Sequence, residues 1–174
     1  MVTLDDFTDD APWVPATPAF ADLAVENQIE GLRLRRLVSN SDGRGTLTVL
    51  MTDLHDPSFV TPHVYHVMAE AGSVRAWVYH KRQSDRLAFL AGSFRVVLYD
   101  LRPESPTRGA LNVLDVGAAN PVLLTIPAFV VHGVQNLGHE AAHFINMPTR
   151  AYDPAHPDKS RLDRDHPGIP YRFG

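Results

Sequence analysis

Gly72-Ser-Val-Arg-Ala-Trp-Val-Tyr-His80-Lys-Arg-Gln-Ser-Asp85, running on to Gly92, is the stretch that decides the fold. Read with the two-residue period of a strand, it puts Val74, Ala76, Val78 and His80 on one face and Arg75, Trp77 and Tyr79 on the other. A histidine that ends a row of small apolar side chains points into an interior. A charged turn follows, and then a second apolar run, Arg86-Leu-Ala-Phe-Leu-Ala91. That is how a β-barrel presents a basic group at the mouth of its pocket.

The pattern continues in both directions. Strand-like runs cover 32–38, 46–51, 63–68, 74–80, 87–91, 94–101, 111–116, 122–126, 130–134 and 142–147. Turn signals separate them, among them Asn40-Ser-Asp-Gly-Arg-Gly45, Pro103-Glu-Ser-Pro106 and Ala119-Asn-Pro121. About ten short strands with almost no helix predict an all-β sandwich or barrel. Residues 1–30, rich in Asp and Pro at their start, read as an N-terminal arm, with a short helix over 19–29. Residues 31–174 read as the β-barrel domain, ending in an irregular tail ordered by packing over the barrel. The tail's mixed charges, Lys159 and Arg161 among them, read as a solvated face.

Composition narrows the partners. A chain of 174 residues that is 44% hydrophobic and 21% charged is an ordinary globule, long enough for a full core. No apolar run approaches the roughly 20 residues of a membrane span, and the acidic start is no signal peptide. With no cysteine there is neither a disulfide framework nor thiol chemistry, which points to a cytoplasmic home. A net charge of −4 with scattered basic residues argues against nucleic acid as a partner, yet leaves room for an anionic small molecule.

Two motifs carry a resemblance. Gly72, five residues, Val78-Tyr79-His80, four residues, Asp85, six residues and Gly92 have the spacing of the first cupin motif. Pro127-Ala-Phe-Val-Val-His132-Gly-Val-Gln-Asn136 has that of the second. Val78 stands where the pattern has its first histidine, and Phe129 where it has a glycine. Asp42-Gly-Arg44-Gly45, then Asp100-Leu-Arg102-Pro-Glu-Ser105-Pro106-Thr107, then Pro127 to Gly133, narrow the likeness to one branch. The chain resembles the dTDP-4-dehydrorhamnose 3,5-epimerase-like cupins over roughly residues 31–173.

The resemblance implies a β-jelly-roll homodimer that acts on nucleotide-linked 4-keto sugars without metal or other cofactor. It assigns His80 the part of the general base beside the sugar ketone, a task suited to a neutral imidazole. His132 becomes a second histidine facing the same pocket, and Arg44 a contact to the substrate diphosphate. It also marks departures. Asn146 stands at the position of the family's acid tyrosine. The family's lysine falls near Asp85 or Arg86, of which Arg86 can still offer positive charge to an enolate. Val49 replaces the acid that reads the thymine. A second phosphate-facing arginine is missing or has moved to Arg75, although the outward row of Arg75, Trp77 and Tyr79 also reads as a subunit contact. Tyr65 shares a strand face with His63 and Val67, a core position that also suits substrate contact.

Three functions follow from this. The first is a sugar-nucleotide epimerase or isomerase of deoxysugar or natural-product biosynthesis, reduced by the missing tyrosine to one epimerisation or a related proton shift. The second is a metal-dependent cupin with His80, Asp85 and His132 as ligands. The third is a catalytically silent sugar-binding relative.

Overall fold

The computed structural model describes residues 2–9, 22–52 and 60–174. The described residues form twelve strands: β1 (Arg33–Arg36), β2 (Ser39–Asp42), β3 (Gly45–Thr48), β4 (Tyr65–Ala69), β5 (Val74–His80), β6 (Asp85–Phe89), β7 (Ser93–Asp100), β8 (Leu111–Gly117), β9 (Val122–Ile126), β10 (Val130–Asn136), β11 (Ala142–Asn146) and β12 (Lys159–Arg161). One sheet has the order β1-β9-β6-β11-β4 and the other β12-β5-β10-β7-β8, while β2 and β3 form a separate ribbon. Neighbours in sequence mostly lie in different sheets, so the chain shuttles between two facing layers. This is the all-β jelly-roll that the strand and turn pattern predicts. Among the described residues, no helix is long and apolar enough to cross a membrane.

Alternating side chains fill the space between the layers. Phe89 and Phe144 from the first sheet meet Phe94 from the second, with ring centroids 5.1 to 5.6 Å apart. Leu87, Leu124, Val96, Leu98, Val116 and Val134 extend the same core. Burying each such side chain contributes roughly 1.5–3 kcal/mol. This packing occupies one half of the space between the sheets. Polar side chains line the other half.

Two expectations change in the structure. Residues 22–29 form no helix, because the backbone there is committed elsewhere. Asp22 bridges Arg35, Leu23 N–H donates to the Leu34 carbonyl at 2.6 Å, and Ile29 N–H donates to Asn112 Oδ1 at 3.0 Å. Residues 19–21 of that expected helix lie outside the described residues. The second change is in β5, where β10 pairs His132 with Val78 but Val134 with Arg75. Three steps on β5 therefore match two on β10. Such a bulge reverses the alternation on its far side. Arg75 thus shares the inner face with Val134, and Val74 and Ala76 join the outer cluster around Trp77.

Arg75, Trp77 and Tyr79 consequently do not form one outward row. Arg75 turns inward, and Tyr79 stacks on Phe129 with centroids 6.0 Å apart. Trp77 is fully buried beneath the chain's own C-terminal segment. Its ring lies 4.9 Å from that of Phe173 and 6.4 Å from that of Tyr171, and Nε1 donates to the Arg164 carbonyl at 3.0 Å. Gly133 makes this close approach feasible. A Cβ there would sit 2.6 Å from Ala76 Cβ and 2.9 Å from the Phe173 ring. Gly133→Ala is therefore expected to cost about 1–3 kcal/mol, read as a lower denaturant midpoint at unchanged slope.

The Asp-Leu-Arg-x-x-Ser-Pro-Thr run is a structural lock. Asp100 is fully buried and accepts from Arg102 Nε at 2.9 Å and Nη2 at 2.7 Å, Ser105 Oγ at 2.6 Å and Thr107 Oγ1 at 2.7 Å. Burial pushes its carboxyl up, but the bonds from Arg102, Ser105 and Thr107 outweigh that and hold it far below the usual carboxylate range. The same loop grips the segment before β1, through Glu30 N–H to Thr107 Oγ1 at 2.9 Å and Arg102 Nη2 to the Glu30 carbonyl at 2.8 Å.

Candidate active site

Two adjoining chambers open between the sheets at the polar end. The outer, about 580 Å³, is walled by His63, Tyr65, His80, Arg150, Tyr152 and Lys159 among others. The inner, about 310 Å³, reaches Arg75, Asp85, His132, Asn146 and Arg161. Tyr65, Lys159 and Arg161 line both.

His80 ends β5 on the inner face and His132 sits beside it on β10, while Asp85 begins β6 on the facing sheet. His80 Nε2 lies 3.3 Å and His132 Nε2 3.4 Å from the same oxygen, Asp85 Oδ2. All three residues are buried. Gln83 Nε2 donates to Asp85 Oδ1 at 2.8 Å, and His132 Nδ1 lies 3.1 Å from the Val130 carbonyl, which orients that ring. Among the described residues, neither nitrogen of His80 finds a well-aligned hydrogen bond. Buried imidazole nitrogens left in this state mark a working site more often than a structural one. Burial raises the Asp85 carboxyl, but His132 and His80 outweigh it and hold it far below its usual range. Asp85 is thus a carboxylate at any physiological pH, and it lies within ion-pair distance of His80.

The same trio could hold a metal. One donor atom from each of His80, Asp85 and His132 lies within 4.8 Å of the others. Two imidazoles and a carboxylate are the ligand set of mononuclear iron sites, and the bond on His132 Nδ1 is the kind of outer support such ligands have.

The tail contributes what the sequence reading missed. Asp158 accepts backbone N–H bonds from Lys81 at 3.2 Å, Arg82 at 3.0 Å and Gln83 at 2.9 Å, docking the tail on the β5–β6 turn. The next residues pair with β5: Lys159 opposite His80, Ser160 opposite Tyr79, Arg161 opposite Val78. Directly opposed residues share a face, so Lys159 stands beside His80 and Arg161 beside Val78, both inward. Desolvation at the wall and the neighbouring charge of Arg161 lower the Lys159 ammonium, against the pull of Asp85. The signal in sequence was the alternation Lys-Ser-Arg directly after an aspartate, too short to separate from a charged loop.

Other expected residues divide. Asn146 faces the inner chamber and donates from Nδ2 to Tyr65 Oη at 2.7 Å. Arg75 lines the inner chamber, thanks to the bulge. Arg86 does not line either chamber. Strict alternation along β6 turns Asp85 and Leu87 inward and Arg86 outward, where Nη1 donates to the Val60 carbonyl at 3.1 Å and Arg33 and Arg35 lie nearby. Its charge therefore faces away from His80. Arg44 sits at the tip of the β2–β3 ribbon, 92% exposed and paired with Asp42, and lines neither chamber. Val49, in the stretch after that ribbon, is also exposed.

Comparison with known proteins gives a consistent picture. The profile of the dTDP-4-dehydrorhamnose 3,5-epimerase family matches residues 26–172. The spore coat polysaccharide biosynthesis protein SpsL of Bacillus subtilis is 34% identical over 145 residues, which is 83% of this chain and 96% of that protein. The probable low-salt glycan biosynthesis epimerase Agl13 of Haloferax volcanii is 35% identical over 139 residues, 79% of this chain and 89% of that one. The crystal structure of a dTDP sugar isomerase from Desulfovibrio desulfuricans superposes with a TM-score of 0.77 at 28% identity, covering 83% of this chain and 92% of that one.

Proposed function

Since the chain belongs to the dTDP-4-dehydrorhamnose 3,5-epimerase family, we propose that this isomerase-class enzyme moves a proton beside the ketone of a nucleotide-linked 4-keto-6-deoxy sugar, with His80 as the base. The observation that carries this reading is the His80–Asp85 pair at the wall of a cavity large enough for a sugar. A carboxylate beside an imidazole stabilises the imidazolium that forms when the ring takes the proton. His132, against the same carboxylate, helps to keep it ionised beside His80.

Proton abstraction beside a ketone builds negative charge on the carbonyl oxygen. Lys159, beside His80, supplies the positive charge that Arg86 cannot. Arg75 and Arg161 extend the basic wall and suit the diphosphate of a nucleotide sugar, which a planar guanidinium grips with two bonds. Lys159→Met is expected to lower turnover by about 10²-fold with a smaller effect on KM, measured by steady-state kinetics.

The test is exchange in deuterated water. The protein is incubated with dTDP-4-keto-6-deoxyglucose, and deuterium at carbons 3 and 5 is followed by mass spectrometry and NMR. Incorporation at either carbon supports the reading. A preparation that binds the nucleotide sugar but never exchanges a hydron is a silent binding relative. The converging donors of His80, Asp85 and His132 favour one second reading, a metal-assisted enzyme in which a bound divalent ion would polarise the substrate carbonyl. Metal analysis of the same preparation and exchange in the presence of EDTA separate the two.

A further inference from the structure

We propose that Tyr65 is the acid that returns a proton to the substrate carbon from the side opposite His80, and that Asn146 positions it; this rests on the epimerase reading above. Inverting a carbon beside a ketone takes two groups, one on each side of the sugar ring. His80 and Lys159 stand side by side on the second sheet, so Lys159 meets the substrate from the base's own side. Tyr65 belongs to β4, the far strand of the first sheet, and faces the same cavity as His80. Tyr152 also borders that cavity, but it is 62% exposed and lines only the outer chamber.

The local bonding prepares Tyr65 for this task. Asn146 lies directly opposite it across the β11–β4 pair. The Asn146 amide is fixed at both ends: Oδ1 accepts the Arg86 N–H at 3.3 Å and Nδ2 donates to Tyr65 Oη at 2.7 Å. Because the phenol oxygen accepts this bond, its own hydrogen stays free for a partner in the cavity. Burial and the Asp85 charge push the Tyr65 hydroxyl up, so the phenol enters the reaction protonated. The Asn146 donor favours the phenolate that forms once the proton is given away.

The steps balance. Neutral His80 takes the hydron next to the ketone, the C–H electron pair becomes the C=C bond, and the carbonyl pair moves to oxygen as an enolate beside Lys159. The carbonyl then re-forms, and the C=C pair takes the Tyr65 proton on the opposite side of the carbon. Imidazolium and phenolate remain, and water removes one proton and returns one. No oxidant or co-reactant is involved.

The experiment measures exchange and inversion separately on dTDP-4-keto-6-deoxyglucose in deuterated water, by NMR of the recovered sugar. Wild type is expected to exchange and invert together. Tyr65→Phe is expected to keep exchange within about fivefold while inversion falls by about 10²-fold. Asn146→Leu is expected to lower inversion relative to exchange, whereas a merely structural role would lower both alike. Inversion within fivefold of wild type in Tyr65→Phe overturns the inference. So does a well-folded Tyr65→Phe that loses exchange and inversion equally, since the phenol would then serve binding. A wild-type protein that does neither overturns the epimerase reading itself, and the inference with it.

Discussion

His80→Asn is expected to lower hydron exchange by about 10²–10⁴-fold while leaving the melting temperature close to that of wild type. Asparagine keeps a planar polar group, shorter than the imidazole, and has no lone pair basic enough to take a proton from carbon. Asp85 would still have His132 Nε2 at 3.4 Å and Gln83 Nε2 at 2.8 Å, so the buried carboxylate is not orphaned. That retained pairing is why the effect should fall on chemistry and spare folding. Exchange in His80→Asn within tenfold of wild type would transfer the base role to another group, with His132 first in line. The measurement is the rate of deuterium uptake at saturating substrate, set beside a thermal melt of the same sample.

The second large effect is on stability. Asp100→Ala is expected to destabilise the fold by about 3 kcal/mol, because the half-buried Arg102, Ser105 and Thr107 all lose their one buried acceptor. For a chain of this size that corresponds to a fall of roughly 10 °C in Tm. The pH dependence follows from the lowered folded-state pKa of Asp100. The unfolded chain takes up its proton near the ordinary carboxylate value of about 3.9, while the folded chain resists it. The contribution is therefore complete above about pH 5 and is lost progressively as pH falls below that. The gap in stability between wild type and Asp100→Ala should accordingly narrow between about pH 5 and pH 2, in denaturant melts at each pH. A gap that stays constant across that window would assign the loss to packing alone.

The β-barrel and most of its strands were legible because alternation and turn residues act locally. His80, Asp85 and His132 were legible together through their resemblance to the cupin motifs. What escaped depended on contacts between distant segments. The bulge in β5 leaves no mark on Ala76 or Trp77 as residue types, yet it turns Arg75 inward. Lys159 became a wall residue only because Asp158 docks on three backbone amides of a turn 75 to 77 positions away. Arg86 illustrates the converse. Its spacing to the family's lysine admits a one-residue ambiguity, and a single residue along a strand is the difference between the two faces of a sheet. The Asp100 loop, the most distinctive run in the sequence, turned out to be distinctive for folding.

The docked tail also separates durable parts of this protein from replaceable ones. Asp85, His132 and the aromatic core belong to strands with a partner on each side. The wall carrying Lys159 and Arg161 is a three-residue edge strand held on one side by β5 and anchored by one aspartate. Substitutions at Arg161 are therefore expected to retune which anions the cavity admits without disturbing the core between the sheets.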